Sequence, residues 1–324
     1  MRALVAGAAG FLGSHLSDRL RRDGIEVIGL DNFCTGRREN MMQLEGDPGF
    51  SFFEHDITRP VGAGVAGPLD VIFNLACPAS PRAYQRDPLF TLETNYVGTR
   101  NLLELAREEG ATILQASTSE VYGDPTIHPQ VESYWGNANC FGARGCYEEG
   151  KRVAETLMLE YARRYGVRIK VVRIFNTYGP RMDLEDGRII SSFIVQALRG
   201  EPITVFGDGS QTRSFCYVDD LVDGLVNMAA SEPAFTGPVN LGSPAELTVL
   251  ETASIIKEMT GSPSATVYKP LPPDDPRKRN PDISLAESRL GWRPRVPFED
   301  GVARTIEYFR GIIGCTPQAA RCGH

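Results

Sequence analysis

Tyr147 and Lys151 stand four residues apart in C-Y-E-E-G-K-R-V-A-E, residues 146–155. In a helical run that spacing places both side chains on one face. A phenol is a poor base at neutral pH, with a reference pKa of about 10. A lysine ammonium one turn away stabilises the phenolate and is expected to lower that value, so that the tyrosine can take or give a proton near neutrality. The spacing is not decisive, because Y-x-x-x-K also occurs on solvated helix faces. A hydroxyl partner is offered by Thr118 in S-T-S-E-V-Y-G, residues 117–123, which follows the apolar run 113–116. Thr118 can hydrogen-bond a substrate oxygen that Tyr147 deprotonates; equally, it can cap a helix or close a turn.

The elements that must hold these groups begin at the amino terminus. Residues 2–6 form an apolar run ended by Gly7-Ala8-Ala9-Gly10-Phe11-Leu12-Gly13, and S-H-L-S-D-R-L-R-R-D-G then carries helical periodicity closed by Gly24. Glycines at these positions let backbone N–H groups approach a pyrophosphate at the positive end of the helix. A second apolar run, 26–30, ends in Asp31, eighteen residues after Gly13. A carboxylate there accepts hydrogen bonds from an adenosine ribose and repels a 2′-phosphate, which favours NAD over NADP. Asp56, beyond the strand-like residues 51–53, either meets the adenine or occupies a solvated turn. Asn74-Leu75-Ala76-Cys77-Pro78-Ala79-Ser80, small residues at the end of the apolar strand 71–75, mark where the middle of the cofactor would pass. A helix over 94–107, strands over 113–116 and 170–175, and a helix from Tyr147 complete an alternation that predicts a parallel, doubly wound α/β sheet.

Beyond residue 176 the pattern is less regular. Helices are expected over 188–199, 217–230 and 247–260, with strands over 202–206 and 239–242 and a turn over 207–210. Arg277-Lys278-Arg279, between Pro276 and Pro281, reads as a loop that is either an anion contact or an exposed charge run. The tail 314–324 has little apolar content and is expected to be mobile. The expected organisation is therefore a dinucleotide-binding domain over 1–175, a mainly substrate-binding region over 176–314 with segments returning to the first, and a tail over 315–324.

With 42% hydrophobic and 23% charged residues in a 324-residue chain, there is material for a sizeable core. A formal charge of -7 argues against nucleic-acid binding, so an anionic ligand needs a local arginine cluster. The seven cysteines are scattered without a C-x-x-C pair, which disfavours both zinc and a disulfide framework. The first ten residues lack the apolar length of a signal peptide, and no run approaches the ~18 apolar residues of a membrane span. A cytoplasmic protein without membrane partners is expected.

Together, G-x-x-G-x-x-G, S-T-S-E-V-Y-G, Y-E-E-G-K, R-I-F-N-T-Y-G-P-R-M and G-D-G-S-Q-T-R-S-F resemble the extended short-chain dehydrogenase/reductase family, in family order and over residues 2–310. D-N-F-x-T-G-R, C-P-A-S-P, C-Y-E-E-G-K-R-V-A-E-T, D-G-R-I-I-S-S-F and D-D-P-R-K-R-N-P-D-I are similar to its UDP-glucuronic acid decarboxylase branch. The resemblance implies a Rossmann-like fold with a smaller C-terminal α/β substrate domain. It assigns Thr118, Tyr147 and Lys151 to hydride transfer, and Glu120 and Arg279 to decarboxylation. The NAD site would be lined by Gly7, Gly10, Phe11, Leu12, Asp31, Asn32, Thr35, Gly36, Asp56, Ile57, Leu75, Thr94, Tyr147, Lys151 and Arg188. Pro78, Tyr84, Glu120, Asn176, Arg213 and Arg279 would face a UDP-sugar, no metal would be needed, and a homodimer would form through the helix of Tyr147.

The rival activities are a nucleotide-sugar 4-epimerase and a 4,6-dehydratase. Ser119 replaces the acid of the dehydratases' Thr-Asp-Glu triplet, and neither rival reaction needs an arginine at a departing carboxylate. A non-catalytic NAD-binding regulator would have no use for the full Thr118, Tyr147 and Lys151 set. Residues 139–147 read N-C-F-G-A-R-G-C-Y where the branch typically has N-P-I-G-P-R-A-C-Y, and Cys77 stands where serine is common. Two lost prolines and a gained glycine are expected to loosen the loop, with escape of a UDP-4-keto-xylose intermediate as the consequence.

Overall fold

The computed structural model describes residues 1–62, 65, 67–271 and 278–315. Strands β1 (Arg2–Ala6), β2 (Glu26–Asp31), β3 (Phe50–Glu54), β4 (Val71–Asn74), β5 (Thr112–Thr118) and β6 (Arg168–Ile174) form one sheet with the short Val239–Leu241 strand. The order is Val239–Leu241, β6, β5, β4, β1, β2, β3, and every neighbouring pair is parallel. Winding reverses between β1 and β4. That reversal opens a crevice beyond the carboxyl ends of these strands, where such sheets bind ligands.

The apolar strand sequences follow from burial on both faces. Successive side chains alternate between two cores: Ala3 and Val5 enter one while Leu4 and Ala6 enter the other, and Phe73 and Ile72, like Leu114 and Ile113, part in the same way. The first core takes Leu16 and Leu20 of the Phe11–Arg22 helix and Leu221 and Leu225 of the Val218–Ala230 helix. The second takes Leu102 and Leu103 of the Thr99–Glu109 helix and Met158 of the Gly145–Tyr165 helix. Each such side chain contributes about 1.5–3 kcal/mol on full burial, so the helix carrying Tyr147 is anchored to the sheet.

Two elements depart from expectation. The helix expected from residue 94 is preceded by helical turns that start at Pro88, where the Asp87 carboxylate accepts the Phe90 N–H at 2.9 Å. The missed signal was an aspartate cap followed by proline at the first helical position. Lys278–Arg279 is not a loop: it pairs in parallel with Thr212–Ser214, whose other edge takes Glu246–Thr248 antiparallel. Strands of two and three residues are too short to show a period of two. Arg277 and Pro276, like residues 316–324 of the tail, lie outside the described residues.

Candidate functional site

The glycine motif is explained by close approach. Gly7 has φ +84°, and a Cβ on Gly13 would lie 1.9 Å from the Gly7 carbonyl oxygen. The Phe11–Arg22 helix begins after Gly10 without a side-chain cap, so its first N–H groups are available to an anion. The Asp31 carboxylate accepts the N–H groups of Ala9 (2.9 Å) and Phe33 (2.8 Å), while a Cβ on Gly36 would sit 2.7 Å from its Oδ1. Burial nevertheless pushes Asp31 above the ordinary carboxylate value.

These groups line a cavity of about 740 Å³. Its wall includes Gly7, Gly10, Phe11, Leu12, Asp31, Asn32, Thr35, Gly36, Asp56, Ile57, Leu75, Pro78, Thr94 and Arg188. Asp56 lines the cavity and also accepts the Thr58 N–H at 2.9 Å in a tight turn. Residues 181–188 strap the opposite wall: Arg188 makes a bidentate pair with Asp186 at 2.5 and 2.8 Å, and Arg181 holds Asp18 at 2.6 Å. Arg181 Nη1 is buried without a hydrogen-bond partner among the described residues. A cradle that any side chain would fill, an uncapped helix start and an orphaned guanidinium nitrogen fit a dinucleotide with its pyrophosphate.

Thr118, Tyr147 and Lys151 meet beside the carboxyl end of β5. Thr118 Oγ1 accepts the Glu120 N–H at 3.2 Å, capping the Ser119–Tyr122 turn, and is near enough to the Tyr147 hydroxyl to favour its phenolate. The capping reading of Thr118 is thus met, and its oxygen also stands near the phenol. Lys151 Nζ donates to the Ala116 carbonyl at 3.0 Å and lies 5.8 Å from the Tyr147 ring centroid. The Tyr147 ring stacks on Tyr84 with centroids 4.9 Å apart and planes 5° from parallel.

One expectation is corrected here. Burial above all, with Cys77 and Glu120 adding to it, pushes the Tyr147 phenol well above its ordinary value, and the Thr118 hydrogen bond opposes this. The lysine one turn away does not bring it down. The phenolate would be stripped of water, and that desolvation outweighs a cation whose own contact is a backbone carbonyl.

Glu120 is nearly buried and bridges two arginines, with Oε1 at 3.5 Å from Arg279 Nη1 and Oε2 at 3.4 Å from Arg144 Nη1. Arg279, read from the sequence as either an anion contact or an exposed charge, is thus inside and paired. Its strand register sets it opposite Arg213, which is also buried and donates to the Thr212 carbonyl at 2.8 Å. Asn176 donates to the Ser214 carbonyl at 3.4 Å. Tyr84 is wholly buried, and its hydroxyl has no partner among the described residues.

Arg144 and Asn95 went unassigned in the sequence. Arg144 lies three residues before Tyr147, and its carbonyl accepts the N–H groups of Tyr147 and Glu148, both at 3.0 Å. Asn95 donates to Cys77 Sγ at 3.1 Å and crowds Gly150, whose Cβ would come within 2.9 Å of its amide nitrogen. The gained Gly145 serves a close approach rather than slack: a Cβ there would meet the Cys140 carbonyl oxygen at 2.7 Å. The Gly142 and Gly145 N–H groups, bonded to the Asn139 and Gly142 carbonyls at 3.0 Å, knit that turn.

The family model described as NAD dependent epimerase/dehydratase matches residues 3–242. UDP-glucuronic acid decarboxylase 1 of Arabidopsis thaliana is 52% identical over 314 residues, which are 97% of this chain and 71% of that protein. UDP-glucuronic acid decarboxylase 1 of Danio rerio is 52% identical over 308 residues, covering 95% of this chain and 72% of its own. Among solved structures, Thermotoga maritima UDP-glucose 4-epimerase with UDP-glucose gives a TM-score of 0.89 at 32% identity, covering 97% of this chain and 100% of that one. The Bacillus cereus UDP-glucuronic acid 4-epimerase in complex with UDP-glucuronic acid and NAD gives 0.88 at 28% identity, covering 96% and 100%. With its glycine cradle, its Thr118, Tyr147 and Lys151 set and a family match over most of its length, the chain belongs to the NAD dependent epimerase/dehydratase family.

Proposed function

We propose that the chain decarboxylates UDP-glucuronic acid to UDP-xylose through a 4-keto intermediate. The observation that carries this reading is the buried Arg279 and Glu120 pair placed beside the Tyr147 stack, together with about half-identity to decarboxylases against roughly a third or less to the epimerases. NAD, when bound, supplies a hydride acceptor for the sugar C4 and returns the hydride once carbon dioxide has left. Tyr147 takes the proton of the C4 hydroxyl, and Thr118 stabilises the charge on its oxygen. Lys151 fixes the approach of the tyrosine and the nicotinamide ribose. Oxidation leaves a carboxylate β to a ketone, so the carbon–carbon bond breaks with its electron pair accepted by the ketone as an enolate. Tyr147 and Thr118 steady that enolate oxygen. Arg279 orients the departing carboxylate, Glu120 positions the ring or a water for protonation at C5, and Pro78, Tyr84, Asn176 and Arg213 hold the nucleotide sugar. The glycine cradle, Asp31 and the other cavity residues named above hold NAD.

The test is incubation of purified protein with UDP-glucuronic acid, with and without added NAD+, following products by mass and NADH by absorbance. UDP-xylose with no net NADH is expected. Absence of carbon dioxide release overturns the reading in favour of the epimerase, whose product would be an epimer of unchanged mass. A 4-keto pentose with accumulating NADH would show that the intermediate escapes, and the knit turn at Gly145 argues against a large share of that product.

We also propose that the protein acts as a homodimer in a cytoplasmic setting. Exposed Leu89, Leu92, Tyr96 and Leu159 on neighbouring helices support the first, and unpaired thiols at Cys34, Cys77, Cys140, Cys146 and Cys216 support the second. No described helix is long and apolar enough to cross a membrane. Light scattering on a sizing column checks the dimer; a mass of 35.5 kDa would refute it.

A further inference from the structure

We propose that Arg144 is a positioning residue for decarboxylation, an inference that rests on the function proposed above. It acts through Glu120 and, at the same time, sets the start of the helix that carries Tyr147. Three observations converge on it. Its guanidinium holds Glu120 Oε2 at 3.4 Å, while the other oxygen of that carboxylate goes to Arg279. Its own carbonyl receives the N–H groups of Tyr147 and Glu148 at the first turn of the Gly145–Tyr165 helix. Its side chain is only 11% exposed, so the charge is spent inside the protein and not on solvent.

A carboxylate held by one arginine can still swing about that contact. Held at both oxygens by guanidinium groups from different segments, it has a fixed plane. The Tyr84 hydroxyl lies in the electrostatic reach of Glu120, Arg144 and Arg279, and the Tyr84 ring stacks on Tyr147. Carboxylate and phenol thus share Tyr84 as a buried neighbour. The preceding turn supports the same residue from behind, because Gly145 packs against the Cys140 carbonyl and Gln85 donates to the Ala143 carbonyl at 3.4 Å. Arg144 is therefore placed by backbone contacts on both sides.

The experiment compares wild type with Arg144→Met, Arg144→Lys, Glu120→Gln and the double variant Arg144→Met with Glu120→Gln, measuring kcat and KM for UDP-glucuronic acid. NAD+ binding by fluorescence titration and thermal unfolding are recorded for each. Arg144→Met keeps the backbone carbonyl and the aliphatic bulk. Its kcat is expected to fall roughly 10- to 100-fold, the loss typical when a charged group gives up a hydrogen-bonded partner, with KM changed less than threefold and NAD+ binding retained. The double variant should be no slower than Glu120→Gln, because the arginine works through that carboxylate. Arg144→Lys keeps the charge and should recover at least part of the loss. Multiplicative losses in the double variant, wild-type kcat in Arg144→Met, or a lysine variant as slow as the methionine one would each overturn the inference. Should Arg144→Met unfold, Arg144→Gln takes its place, alone and combined with Glu120→Gln, and the same outcomes decide. Wild type that releases no carbon dioxide fails the functional reading instead, and the two failures are separate.

Discussion

Replacement of Thr118 by valine removes one hydroxyl and keeps the branched shape. In the folded chain that hydroxyl opposes the burial that pushes the Tyr147 phenol up, and its oxygen also accepts the Glu120 N–H at 3.2 Å. A hydrogen bond to a charged group is worth about 1.5–3 kcal/mol. Rates that depend on the phenolate should therefore fall about 10- to 150-fold at neutral pH. The sign with pH follows from the direction of the shift. Losing the donor raises a value that is already raised, so the phenolate form is reached only at higher pH. The rising limb of kcat/KM then moves in the alkaline direction, and the deficit against wild type narrows as the pH increases. Leaving the Glu120 N–H without its acceptor should also cost about 1 kcal/mol of stability, comparable with loss of a cap. Initial rates of UDP-xylose formation across the pH range, with denaturant melts, measure both. Thr118→Ser should restore the limb. A uniform loss at every pH with an unmoved limb, and serine no better than valine, would show that Thr118 is only a cap.

Three further outcomes are expected. Tyr147→Phe keeps the stack on Tyr84 while removing the proton acceptor, so turnover should drop by about 10²–10⁴ with NAD+ still bound; retained turnover would remove Tyr147 from the chemistry. Gly13→Ala places a methyl where the Gly7 carbonyl oxygen would be 1.9 Å away, and such overpacking costs about 1–3 kcal/mol, visible as weaker NAD+ binding in titration and a lower melting temperature; unchanged binding would contradict the cradle. Glu155 holds Arg173 at 2.8 and 3.0 Å and receives the Ser117 hydroxyl at 2.5 Å, so Glu155→Ala strands a mostly buried guanidinium and should lower unfolding free energy by about 3–5 kcal/mol in urea; a change under ~1 kcal/mol would show the pair is solvent-compensated.

The cofactor half was legible because its signals are local. A glycine that must lie against a carbonyl, a strand end that must carry Asp31 and a tyrosine one turn from a lysine all announce themselves within about twenty residues. The same locality explains the expectation that failed. Lys151 is indeed one turn from Tyr147, but the protonation of a buried phenol is set by everything that removes water from it, including Cys77 on a distant loop. Sequence spacing reports the neighbour and not the desolvation. Asn95, in a helix entered at Pro88 rather than at residue 94, shows the complementary case: its contact with Cys77 needs tertiary packing to be seen.

Glu120 and Arg279, the pair we propose for decarboxylation, come together from distant parts of the chain. Glu120 and Arg279 are 159 positions apart, and their meeting depends on a two-residue strand held against Thr212–Ser214. That strand gains little from its own propensity, so its place is set by pairing and by the carboxylate it delivers its arginine to. Thr118, Tyr147 and Lys151, in contrast, ride on β5 and a 21-residue helix anchored in the second core. Arg144 sits at the junction, since it starts the helix of Tyr147 and also grips Glu120. On the reading proposed above, it is there that the helix of Tyr147 and the Glu120 carboxylate are held to one geometry.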